Sequence, residues 1–269
     1  MLKFRRILWI DIAKAIAILL MVIGHTSIPH GLSNFIWAFH MPLFFMASGF
    51  TNGGGKTLSK LILSKTKSLL VPFVVYSTIV VAIMVSNGLL TFADWVLHGW
   101  EAYALWFIPV LFLSQLCTKV ISDVKNKLLQ FTILMIFMFV GVFLSYKRIY
   151  FPWTLSSVPY ATFMIMIGFY IKRMPQKILM PKLWKIILLF SITAIISHNW
   201  RLDMCYNSIL PVFPLTIGAV SGTLMVFMLS MFIEKYLQNV TKILIVIGRE
   251  TYIVVAFSQI TIMLLKFRI

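Results

Sequence analysis

The chain has 269 residues, is 61% hydrophobic and 12% charged, and carries a formal net charge of +17. So many apolar residues cannot be hidden in one aqueous core of this length. A disordered chain would be poor in them. The class that remains is all-α: a polytopic bundle of transmembrane helices forming a single domain over residues 1–269.

The first apolar run, Ile7 to Ile28, follows a basic start, as in a signal peptide. No small-residue cleavage site follows, and the run is long enough to span, so it is expected to stay as a first helix. Nine such segments are predicted, roughly at 7–28, 34–51, 69–88, 102–118, 128–146, 156–172, 183–200, 208–233 and 241–265. A span needs ~20 mostly apolar residues. Lipid offers no partner to exposed backbone groups, and runs this long exclude barrel strands. The loops are short and hold no soluble domain.

Lysine and arginine set the orientation. Seventeen of the 24 fall at the N-terminus (Lys3, Arg5, Arg6) and in alternate loops around Lys56–Lys67, Lys119–Lys127, Lys172–Lys185 and Lys235–Lys242. The opposite loops centre on Pro29–Ser33, Asn87–Glu101, Tyr146–Leu155 and Trp200–Asn207, and hold only Lys147, Arg148 and Arg201. The N-terminus is therefore expected in the cytoplasm and the chain in the cell membrane. Nucleic acid loses its support as a partner, because the charge is spread over five segments and forms no single patch. Nine spans leave Lys266 and Arg268 outside, so either a tenth span is missing or one segment is re-entrant. Cys117 and Cys205 belong to no CxxC pair or Cys/His cluster, so neither a metal site nor a disulfide framework is signalled.

Ionisable residues inside spans are costly and are candidates for function. The first span, DIAKAIAILLMVIGH, carries Asp11, Lys14 and His25. Lys14 and His25 are eleven residues apart, close to three turns, so they share a face about 16 Å apart. Asp11 lies one turn before Lys14 and can pair with it. Asp11 and Lys14 read either as interfacial anchors, with Lys14 snorkelling, or as the base of a functional stripe. The short turn after this span makes the second span its antiparallel neighbour. That puts His40, in FHMPLFFMASGF, in the same outer layer as His25. His40 serves either a structural hydrogen bond or the same site. Pro42 in that segment frees backbone groups that must be satisfied locally.

The segment TNGGGKT lacks the first glycine of a phosphate loop, since Phe50 stands there, and it follows a membrane helix rather than a strand. It reads as a flexible turn. Lys60, Lys65 and Lys67 then line the cytoplasmic mouth, either as positive-inside charge touching lipid headgroups or as an anion site. Trp106, in EAYALWFIPVLF, lies near the outer interface, where an aromatic belt is the default. Arg249 and Glu250, in IGRETYIVVAFSQ, fall inside the last apolar segment, where an arginine should face the interior and be paired.

These segments, in this order, resemble the acyltransferase-3 integral membrane family. Lys14, ten residues and His25 resemble its first-span motif, and the lysine form with Asp11 resembles the fucose 4-O-acetylase-like branch. FHMPLFFMASGF, LLVPF, LWFIPVLFLSQL, FPWTLSSVPYATFMIMIGFYIKR, RLDMCYNSILPVFPLTIGAVSGTLMV and IGRETYIVVAFSQ resemble that branch's later spans, so the likeness covers nearly the whole chain. There are departures. Glu250-Thr251 stands where Asn-Ser is usual, Ser258 where a histidine is usual, and Ala15 where glycine is common. The family usually has ten spans.

The resemblance implies an O-acyltransferase. It would move an acyl group, usually acetyl, from cytosolic acyl-CoA to a hydroxyl of an envelope polysaccharide, glycolipid or lipid-linked sugar. No bound cofactor is expected; acetyl-CoA is the donor substrate, and membrane lipids are the surroundings. In that reading His25 is general base or acyl carrier, and Asp11 orients Lys14. Lys14, Lys60, Lys65 and Lys67 hold the donor's phosphates, and His40, Trp106 and Arg249 shape or polarise the site. The alternative is a transporter or flippase of a lipid-linked glycan without chemistry, which the intramembrane charges and Pro42 would also suit.

Overall fold

The computed structural model describes residues 6–52, 57–88 and 104–266, with isolated positions at 55, 91, 93 and 96. Lys3, Arg5, Lys56, Glu101 and Arg268 lie outside them, as do Gly53 and Gly54 of the TNGGGKT turn.

Each of the nine expected segments is helical. The helices are α1 (Leu8–Gly24), α2 (His30–Thr51), α3 (Leu58–Lys65), α4 (Val71–Ser86), α5 (Phe107–Asp123) and α6 (Lys127–Tyr146). They continue as α7 (Val158–Ile171), the short α8 (Gln176–Leu179), α9 (Leu183–Asn199), α10 (Val212–Tyr236), α11 (Gln238–Arg249) and α12 (Thr251–Lys266). Among the described residues five stretches are long and apolar enough to cross a membrane: Leu58–Ser86, Ala104–Asp123, Lys127–Tyr146, Pro152–Ile171 and Val212–Tyr236. α9 is apolar but shorter.

α1 and α2 sit at the centre. Ile12, Ala13, Ile18, Phe39, Leu43 and Phe45 are fully buried. α2 packs along α7, and α1 packs on α2, α10 and α11. α6 is peripheral and turns Phe131, Ile136 and Phe139 outward, as a lipid-facing helix does. This arrangement explains how α1 tolerates its ionisable residues: neighbouring helices cover the face that buries Asp11, while Leu19 and Ile23 stay exposed.

Two elements differ from expectation, each for a local reason. The third segment starts earlier, at Leu58, and carries a π turn at Thr66–Leu70. Pro72 follows, lacking an N–H and crowding the carbonyl four residues back, so the wider turn accommodates it. Tyr252 from α12 donates to the carbonyl of Leu69 in that turn (3.1 Å).

The last segment is not one continuous span. It breaks at Glu250 into α11 and α12. Twelve residues of α11 reach only about 18 Å, and its two ends are tied to the same end of the bundle. Thr241 donates to Ile233 near the end of α10 (3.1 Å). Gly248 lies so close to the first turn of α1 that a Cβ there would stand 1.9 Å from the carbonyl oxygen of Asp11.

The connection between α9 and α10 is not a solvated loop either. Leu202, Met204, Asn207 and Ile209 are buried. An antiparallel bridge joins Asp203 to Ser208. The segment is pinned by Ser157, which donates to Met204 O, and by Asn207, which donates to Gly141 O (3.2 Å). It plugs the His25 end of the bundle with irregular backbone, which is tolerable at that depth only because protein covers it.

Candidate functional site at the two ends of α1

At its N-terminal end, α1 holds Asp11, whose side chain is 4% exposed. The carboxylate is gripped by Arg6 through Nε (2.5 Å) and Nη2 (3.2 Å). Lys14 Nζ lies further off, at 3.9 Å. Helix spacing brings Lys14 and Asp11 together as anticipated, but the two-point fork of Arg6 takes the carboxylate first. Two cations face one anion, so the cluster keeps a net positive charge. Trp9 seals the core beneath it, packed edge-on against Phe50 (5.0 Å) and Phe227 (5.1 Å).

Of the loop lysines, Lys60 and Lys67 are exposed on α3 and the π turn. Lys65 instead lines a cleft of about 60 Å³ with Ser48, Thr51, Asn52, Leu61, Gln115 and Ile165. Arg249 does not face the interior as expected. It ends α11 exposed, and Glu250 beside it is also exposed. The reason is the break at Glu250: the residues are at a helix end rather than inside a span. Trp106 is buried at the start of α5, within the main core, instead of in a lipid-facing belt. Its neighbour Phe107 packs on Phe44 of α2 (5.9 Å).

At the other end His25 caps α1. Its Nδ1 donates to Met21 O (2.8 Å). His40, buried on α2, repeats the geometry, with Nδ1 donating to Ile36 O (3.0 Å). A carbonyl oxygen can only accept, so the proton of each neutral ring is on Nδ1. The lone pair of each is therefore on Nε2, as a general base or nucleophile requires.

Trp37 stands between the two rings, 5.4 Å from His25 and 5.6 Å from His40. Its indole donates to Gly24 O (3.4 Å). The plug segment closes over it, with the Arg201 guanidinium 4.0 Å above the indole. Two residues on, Asp203 accepts from the N–H of Cys205 (3.0 Å) and of Tyr206 (3.4 Å). Burial holds the Asp203 carboxyl above its usual range, and these hydrogen bonds and the neighbouring Arg201 and His25 offset only part of that rise.

Trp37, Arg201, Asp203 and Gln115 were not singled out by the sequence. Trp37 had a usable signal, being one helical turn before His40. Arg201 had a weaker one, as a rare basic residue on the lysine-poor side. Asp203 and Gln115 had none.

A family model described as an acyltransferase domain matches residues 7–268. The chain belongs to the acyltransferase-3 family. No curated protein and no solved structure matches it. As an acyltransferase-3 member the protein is an acyltransferase that moves groups other than aminoacyl groups, and its apolar helices fit a multi-pass membrane protein. Among the described residues no cluster of His, Cys, Asp or Glu could hold a metal ion.

Proposed function

We propose that the protein is a membrane O-acyltransferase. In this reading it takes an acyl group, most simply acetyl, from acyl-CoA at the Lys14 end and passes it at the His25 end to a hydroxyl of a cell-envelope polysaccharide, glycolipid or lipid-linked sugar. The Lys14 end faces the cytoplasm, as the lysine distribution argues. Within the family, the sequence motifs resemble the fucose 4-O-acetylase-like branch.

The observation that carries the reading is the polarity of α1. One end bears a net-positive cluster suited to phosphate, and the other bears an imidazole with its lone pair on Nε2. His25 Nε2 takes the proton of the acceptor hydroxyl as that oxygen attacks the thioester carbonyl. The C–S bond breaks, and the leaving thiolate receives the proton from the imidazolium, giving the ester and free coenzyme A. His40, Trp37 and Arg201 shape the acceptor side. Lys14, with Lys60, Lys65 and Lys67 on the same side of the membrane, draws in the donor.

The test is turnover by purified protein in nanodiscs with labelled acetyl-CoA and membrane glycolipid extract. Release of free coenzyme A with label in the glycan fraction is expected. Movement of glycolipid across the bilayer without coenzyme A release would replace this reading with a flippase.

A further inference from the structure

Gln115 sits in the middle of α5, 8% exposed. Its amide nitrogen donates to Ser48 Oγ of α2 (2.6 Å). Its carbonyl oxygen, Oε1, is buried and has no hydrogen-bond partner among the described residues. A buried acceptor left unmade costs on the order of 1–3 kcal/mol, so this oxygen calls for a donor that the described residues do not supply.

Gln115 lines the cleft at the C-terminal end of α2 together with Ser48, Thr51, Asn52 and Lys65. At about 60 Å³ the cleft has room for several heavy atoms in file. Cations stand at its edge: Lys65 lines it, and Lys172 reaches across to donate to the carbonyl of Asn52, another lining residue (2.9 Å). The cleft therefore offers an acceptor inside and positive charge at the rim. A ligand that satisfies both must carry a hydroxyl or amide N–H a few bonds from an anionic group.

We propose that this cleft binds the part of the acyl donor where its amide-bearing arm leaves the diphosphate. There a hydroxyl and a secondary amide follow the phosphate within a few bonds. The hydroxyl or amide N–H donates to Gln115 Oε1, and the phosphate lies toward Lys65. The inference rests on the donor reading above. It adds a site on α2, α3, α5 and α7 that is separate from the Asp11–Lys14 cluster. Ser48 is eight residues from His40, about 12 Å along α2, so an arm held here points up the bundle toward the imidazoles.

The experiment is calorimetric binding to protein in nanodiscs, with three probes: acetyl-CoA, pantetheine (no phosphates) and 3′-phosphoadenosine 5′-diphosphate (no arm). Gln115→Leu should weaken acetyl-CoA and pantetheine about tenfold, as loss of one buried hydrogen bond does, and leave the diphosphate unchanged. Lys65→Ala should weaken the two phosphate-bearing probes and spare pantetheine. Ser48→Val, which narrows the cleft from the opposite wall, should act like Gln115→Leu and guards against misfolding of either variant. If the wild type binds acetyl-CoA and all three cleft variants bind it equally well, this inference falls while the donor reading stands. If the wild type binds no acetyl-CoA, the donor reading itself falls.

Discussion

Gly49 of α2 and Gly168 of α7 each lie against the backbone of the other's helix. A Cβ on Gly49 would lie 1.9 Å from Ile165 O, and one on Gly168 would lie 2.0 Å from Met46 O. Neither obstacle is a flexible side chain, so a methyl group at either position must push the helices apart. Gly49→Ala and Gly168→Ala are each expected to cost about 1–3 kcal/mol, measured as a lower unfolding temperature in detergent. Gly31→Ala is the control, since nothing lies within 4 Å of a Cβ there. An equal loss from the control would remove the close-approach argument. The same contact braces the cleft, because Ser48 and Ile165 are its lining residues.

The two histidines differ in setting. His25 is half-exposed at a helix end and His40 is fully enclosed. His25→Ala is expected to lower acyl transfer by roughly 10²–10⁴-fold, the range for loss of a general base, with normal insertion and unfolding temperature. His40→Ala should reduce both activity and stability, because it opens a hole in the core beside Trp37. The measurement is coenzyme A release alongside thermal unfolding. A fully active His25→Ala protein would overturn the base assignment.

Arg6 and Asp11 form an unequal pair, with side-chain exposures of 55% and 4%. Removing Arg6 leaves a buried carboxylate with only Lys14 near it among the described residues, 3.9 Å away, a loss on the scale of ~3 kcal/mol. Asp11→Asn removes the buried charge itself and leaves two cations that both reach solvent, a smaller cost of ~1 kcal/mol. Thermal unfolding of Arg6→Ala and Asp11→Asn should therefore give a large and a small decrease, in that order. The reverse order would show that the pairing with Arg6 does not hold the buried charge in place.

Cys205, in the plug, supplies a pH readout. Burial first, and then the nearby Asp203 carboxylate, push its thiol above the ordinary range. At neutral pH it is protonated and should react slowly with maleimide. The rate should rise only as the medium becomes strongly alkaline. Asp203→Asn keeps an oxygen to accept from the Cys205 and Tyr206 N–H groups but removes the negative charge. The thiol is then easier to ionise, so labelling at a given pH should become faster. The measurement is labelling rate against pH in a Cys117→Ser background. An unchanged profile would mean that Asp203 is neutral or does not act on the thiol.

Composition alone determined the class of this protein. An apolar fraction this high has no aqueous solution, and period and length then make the segments helices. Helix spacing also set the relation of Asp11, Lys14 and His25, because residues within one helix have fixed geometry whatever surrounds them. The turn after α1 placed His40 in the layer of His25 for the same reason.

Tertiary packing decided the rest. Arg6 reaches Asp11 from outside the helix, where spacing rules do not operate. Arg249 is exposed because the chain breaks at Glu250, and an unbroken apolar run in the sequence does not reveal such a break. The plug that brings Arg201 over Trp37 looks like an ordinary polar loop, since its burial depends on partners far along the chain, Gly141 in α6 and Ser157 just before α7. Gln115 is one glutamine among apolar neighbours in sequence. Only the approach of α2 makes its oxygen a buried acceptor facing a cleft.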